Sequence, residues 1–288
     1  MTPETQGPLF GPAPRGALGV VIPFDMELDA ELWRWLPADV DLLLTRTPFL
    51  DDVVTVEFAR EVAQAGIVTD GVRSVTAGRA DVVLYACSSG SFVRGRAGQE
   101  ELVRAMNDAG SREAVTASGA VVEALSALGI RRVATATPYL PSLSLLMESF
   151  LNEYGVGVTG SAELGLDRHI WEVPYAQTAE LIRQADTPDA EAIVVSCTNL
   201  PTYDLIAPLE AELGKPIITA NQATMWSGLR RLGRLANGEG QSLLHRTGQP
   251  GQLGLGLGLT ARTSYSLLPL VPEAPTGSAS APQVLTDR

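Results

Sequence analysis

Two stretches, Ala80-Asp81-Val82-Val83-Leu84-Tyr85-Ala86-Cys87 and Ala190-Glu191-Ala192-Ile193-Val194-Val195-Ser196-Cys197, share one design. In each, an alanine and an acidic residue precede a short apolar run, and a cysteine stands seven residues after the alanine. Hydroxyl or turn-forming residues follow: Ser88-Ser89 in the first, Thr198-Asn199 in the second. Runs this short and this rich in Val, Ile and Leu read as strands buried on both faces, which is the habit of parallel sheets. The repeat predicts two similar lobes, each ending one strand in a cysteine-bearing loop.

Five further runs fit the same reading: 17–22, 41–44, 133–136, 156–159 and 217–219. Amphipathic stretches alternate with them. Helices are expected at 28–36, 54–65 (closed by Gly66), 121–128 (closed by Gly129), 142–154 (opened by Pro141), 175–184, 203–213 and 222–235. The alternation predicts an α/β protein of two pseudo-symmetric, flavodoxin- or Rossmann-like lobes, each a parallel sheet flanked by helices. In open α/β sheets ligands bind beyond the carboxyl ends of the strands, so the site is expected between the lobes. The first lobe is expected over 17–117 plus 222–240 and the second over 118–221. Residues 1–16 and the end of an extension, 241–288, are rich in Pro, Gly, Ser and Thr and read as tails. The glycine-rich 251–258 lacks a Walker pattern and reads as a loop.

Composition narrows the function. The 288 residues carry 33 acidic and 21 basic side chains, a net charge of −12, which argues against nucleic acid or an anionic membrane as partner. No apolar run has the length of a membrane span, and residues 1–16 lack the pattern of a signal peptide. Two cysteines are no disulfide framework, so a cytoplasmic location is expected. Two histidines, with no HExxH and no CxxC, leave no basis for a metal site.

The chemistry then falls on sulfur. A lone cysteine after a strand is ordinarily an inert apolar residue; two in equivalent places of a repeat point to a pair. A cysteine at the end of a strand is followed by backbone N–H groups that have no partner in the strand. If a helix starts there, those N–H groups favour a thiolate and can hold a carboxylate. Two thiols facing each other form an acid/base pair acting on opposite faces of one carbon, with no cofactor required.

The segment Leu84-Tyr85-Ala86-Cys87-Ser88-Ser89-Gly90-Ser91-Phe92 resembles the first cysteine motif of the maleate cis–trans isomerases, within the aspartate/glutamate racemase superfamily that also holds arylmalonate decarboxylase. Ser196-Cys197-Thr198-Asn199-Leu200 resembles the second motif, Thr137-Pro138-Tyr139 the family's carboxylate-binding tyrosine, and Asn221–Trp226 its last helix. The resemblance spans about 17–240. It implies that Cys87 is the thiolate nucleophile and Cys197 the acid/base. It implies a small carboxylate substrate held by Ser88, Ser89, Tyr139, Thr198 and Asn199, and a homodimer or larger assembly. An amino-acid or hydantoin racemase would use the same pair. An arylmalonate-type decarboxylase keeps the second cysteine and has glycine in place of the first, so Cys87 argues against that type. A silent binding module is the remaining alternative. Two positions depart from the isomerase pattern: asparagines of the family fall on Asp25 and Arg168. Asp25 would repel a carboxylate and attract a nitrogen-bearing group, or would cap the next helix; Arg168 would bind a carboxylate, or would be a surface charge.

Overall fold

The computed structural model describes residues 16–247, all within one compact unit. The tail expected over 1–16 (except Gly16), the loop at 251–258 and the extension beyond 247 lie outside the described residues.

The first half lays down β1 (Ala17–Ile22), α1 (Asp29–Trp35), β2 (Asp41–Arg46), α2 (Val56–Val62), α3 (Ala65–Ala77), β3 (Val82–Tyr85), α4 (Ser88–Phe92), α5 (Gly95–Asp108) and β4 (Ala114–Thr116). After α6 (Ala117–Leu128) come β5 (Arg132–Thr137), α7 (Pro141–Glu153), β6 (Gly157–Glu163), α8 (Tyr175–Ala185), β7 (Ala192–Val195), α9 (Ile206–Leu213), β8 (Ile217–Thr219), α10 (Ala220–Arg231) and α11 (Ser242–Arg246). Two four-stranded parallel sheets result, ordered β2-β1-β3-β4 and β6-β5-β7-β8. The order is the same in both once the second set is renumbered from its own first strand. The internal echo is therefore a repeat of topology, and both cysteines follow the third strand of their sheet.

The repeat extends to the helices. Thr116 ends β4 and accepts the Gly119 N–H as cap of α6; Thr219 ends β8 and accepts the Gln222 N–H as cap of α10. Such caps stabilise a helix by about 1 kcal/mol each. α10 packs against α6 as well as β3 and β4, and α6 packs against β8. Glu123 of α6 accepts from Ser227 at 2.6 Å and from Arg231 at 3.0 Å. One apolar core, including Leu18, Val83, Ala134 and Ile193, runs through both sheets.

Several expectations need correction. Helix 54–65 closed by Gly66 does not exist as such: α2 stops at Val62, and Gly66 is the second residue of α3. The expected helix 203–213 is a 3-10 turn over Tyr203–Leu205 followed by α9. α1 begins at Asp29 with Leu28 at its cap position, so Asp25 caps no helix. Strand β4 and helices α3, α4, α5 and α11 have no counterpart among the expected elements, and α11 falls within the expected extension.

Candidate active site

The chemistry-bearing residues collect at the carboxyl ends of the two central strands of each sheet. Asp25 follows β1, Cys87 follows β3, Tyr139 follows β5 and Cys197 follows β7. These four turns flank the point where strand order reverses, which is where open α/β sheets leave a crevice. Both cysteines are free thiols and both are buried.

Their local geometry differs. Cys87 has extended backbone and stands at the cap of the one-turn α4, where its Sγ accepts the Gly90 N–H at 3.4 Å and meets the Ser89 hydroxyl at 3.8 Å. Gly90 is required there, since a Cβ would overlap the Tyr85 hydroxyl and sit 3.1 Å from Cys87 Sγ. Cys197 has φ +95°, a conformation that L residues rarely adopt. No helix starts behind it; a turn does, and the Asn199 N–H reaches its Sγ at 3.4 Å. The expectation of a helix N-terminus therefore holds for the first thiol and not for the second.

Burial pushes both thiols up from the ordinary value. At Cys87 the shift is countered by the Gly90 N–H and by the hydroxyls of Tyr85 and Ser89. At Cys197 burial prevails over the Asn199 N–H and the Tyr139 hydroxyl and carries the thiol to about 12. Each thiolate is further opposed by Asp25, and Cys197 also feels Cys87. Tyr139, buried and held far above the usual phenol range by desolvation, interacts with Ser196 and Cys197 and also feels Cys87. The two sulfurs, Tyr139 and Asp25 are thus one electrostatic cluster assembled from both sheets. The ring of Phe92 from α4 meets Tyr139 edge-on, with centroids 6.0 Å apart.

The other expected site residues fall into three groups. Ser89 touches the first thiol, and Thr198 is buried in the turn after the second. Ser88 is buried with an unpartnered hydroxyl beside a cavity of about 10 Å³, room for a water-sized group only. Asn199 spends its side chain on backbone: Nδ2 donates to the Asp25 carbonyl at 2.9 Å and Oδ1 accepts the Glu27 N–H at 3.0 Å. Arg168 stays apart from the cluster. It is exposed, and its Nε pairs with Asp167 at 3.2 Å.

Sequence reasoning passes over Tyr85 and Glu31. Tyr85 stands two residues before Cys87, and the period of a strand places both on one face; that signal is present in the sequence. Glu31 is a buried carboxylate of α1 that accepts the N–H groups of Thr202 and Tyr203 at 2.8 and 3.0 Å, pinning the chain beyond Cys197. No pattern short of the fold pairs it with Thr202, 171 positions away. Among the described residues no group of His, Cys, Asp and Glu is arranged to hold a metal, and no helix is long and apolar enough to cross a membrane.

Comparison with known proteins places this architecture. A family model described as arylmalonate decarboxylase matches residues 50–245. The chain belongs to the arylmalonate decarboxylase family. It is 35% identical over 170 residues to arylmalonate decarboxylase of Bordetella bronchiseptica, covering 58% of this chain and 71% of that one. It is 31% identical over 160 residues to maleate isomerase of Nocardia farcinica, covering 53% of this chain and 64% of that one. Among solved structures, a glycine-to-cysteine, cysteine-to-serine double mutant of arylmalonate decarboxylase in liganded form superposes with TM-score 0.74 at 30% identity, covering 80% of this chain and 98% of that one. A cysteine-to-serine mutant of the Nocardia farcinica maleate cis–trans isomerase, holding a covalently bound succinylcysteine intermediate, superposes with TM-score 0.72 at 25% identity over the same shares. The family's two-sheet fold is the one found here.

Proposed function

We propose that the chain is a cofactor-independent two-cysteine isomerase of the maleate cis–trans isomerase type, acting on a small carboxylic acid. The observation that carries this reading is the presence of a thiol after the third strand of both sheets, joined through Tyr139 and Asp25 into one cluster. The unequal thiols support unequal roles. Burial raises both thiols but raises Cys87 less, since Gly90, Ser89 and Tyr85 counter it, so Cys87 is the one that ionises and acts as nucleophile; Cys197, raised to about 12, is the acid. Cys87 gives its proton to solvent as the substrate enters, and the thiolate attacks one alkene carbon, forming a C–S bond. The displaced π pair takes the proton of Cys197 at the adjacent carbon. The bond between the two carbons is now single and rotates. Cys197 as thiolate takes a proton back, the C–H pair restores the double bond, and the C–S pair returns to Cys87. Tyr139 and the N–H and O–H groups of Ser89 and Thr198 hold the carboxylate whose charge rises during addition. The succinylcysteine seen in the maleate isomerase relative supports such an adduct.

The 35% identity to arylmalonate decarboxylase favours a second reading, loss of CO2 from a malonate-like acid with Cys197 alone as proton donor. Replacing each cysteine by serine separates the two. The isomerase reading expects both variants to lose about 10³-fold or more in turnover of cis-alkenoic acids followed by NMR, with circular dichroism unchanged. Release of CO2 from an arylmalonate that survives Cys87→Ser would instead establish the decarboxylase.

A further inference from the structure

After β1 the chain turns through Pro23-Phe24-Asp25, and this turn is gripped from the opposite sheet. Asn199 donates from Nδ2 to the Asp25 carbonyl at 2.9 Å and accepts the Glu27 N–H at Oδ1 at 3.0 Å, while its own N–H contacts Cys197 Sγ. One amide therefore ties the backbone of Asp25 to the turn that carries the second thiol. The Asp25 side chain is half-buried and has its own backbone N–H as hydrogen-bond partner. Among the described residues it forms no ion pair. Arg46 is the cation that acts on it, and that guanidinium is committed to the Met26 carbonyl at 2.7 Å and to Asp29 at 3.2 Å. A half-buried carboxylate without an ion-pair partner, its backbone tied through Asn199 to the Cys197 turn and its charge felt by both thiols, calls for a complementary group on the ligand.

We propose that Asp25 is a specificity-determining residue that selects a substrate bearing one carboxylate and, at its other end, a nitrogen donor (an amide N–H or an ammonium) in place of a second carboxylate. The proposal rests on the two-cysteine reading only for the location of the site. Serine and threonine hydroxyls, Tyr139 and the turn N–H groups receive one carboxylate. A second carboxylate facing Asp25 would meet a like charge in a partly desolvated cleft, whereas a nitrogen donor gives Asp25 the partner it lacks. The Asn199 clamp prevents the turn from swinging Asp25 away.

Saturated ligands test this without relying on any reaction. Calorimetric titration of the full chain at pH 7.5 with succinamate and with succinate is expected to show succinamate binding at least about tenfold tighter. Asp25→Asn is expected to bring the two affinities within about threefold of each other, and Asp25→Glu to keep the wild-type preference. Equal affinities, tighter succinate, no binding of either compound, or a preference unchanged in Asp25→Asn would each overturn the proposal. Thermal melting of both variants separates loss of preference from loss of fold. Turnover of maleamate and maleate by the cysteine-to-serine variants is read separately. Activity surviving both serine substitutions would end the two-cysteine reading, while the binding ratio alone decides the role of Asp25.

Discussion

Cys87 and Cys197 are chemically the same residue in equivalent places, and the backbone makes them different. At φ +95° Cys197 carries strain of about 1–3 kcal/mol, which the Asn199 and Glu31 contacts hold in place. Glycine relieves such strain, so Cys197→Gly is expected to be more stable than Cys197→Ala by about 1 kcal/mol in urea titrations, although glycine ordinarily destabilises. Burial of the thiol links stability to pH. Its folded value, about 12, lies above the 9.0 of an unfolded cysteine, so the stability it contributes is complete below pH 9 and is lost as pH rises toward 12. Between pH 8 and pH 10 wild type should lose about 1.4 kcal/mol more than Cys197→Ser; identical pH slopes would show that Cys197 is not a buried neutral thiol. The cysteines are legible in the sequence because two copies of one motif carry them. Arg168 is not legible in the same way, since a motif cannot tell that its guanidinium stays in solvent with Asp167.

At the scale of elements, β1, β3, β7 and β8 are readable because parallel strands buried on both faces are apolar throughout, while the edge strands β2 and β6 are part-exposed and show only a short apolar core, so their polar ends go unread. β4, three residues long, is too short to show a pattern. α5 hides behind a glycine- and arginine-rich start, and α3 behind Gly66 and Gly71. Gly71 has a packing reason: a Cβ there would lie 2.6 Å from Val21 Cγ1, so its absence lets α3 press onto β1. The element most dependent on a distant partner is the segment after Cys197. Glu31 of α1 satisfies two backbone N–H groups there and approaches the Asn221 amide at 3.3 Å. Glu31→Ala strands those donors and is expected to destabilise the protein by about 2–4 kcal/mol, with thiol reactivity at Cys197 rising as its turn loosens. A loss below about 0.5 kcal/mol in denaturant titration would mean the segment holds itself.

For the whole molecule, the duplicated sheet order does what neither half can do alone. Each sheet supplies one thiol and one partner turn, Asp25 with Cys87 and Tyr139 with Cys197, and α6 packs against α10 between the two halves of the chain. On the reading proposed above, these sulfurs face one shared ligand space. Short bifunctional alkylating reagents of graded span, applied to dilute native protein and followed by peptide mass spectrometry, test it directly. An intramolecular Cys87–Cys197 bridge formed by a single reagent molecule is expected, absent in Cys87→Ser and in Cys197→Ser. Alkylation that yields separate adducts on the two cysteines at every span, with no bridge, would contradict it.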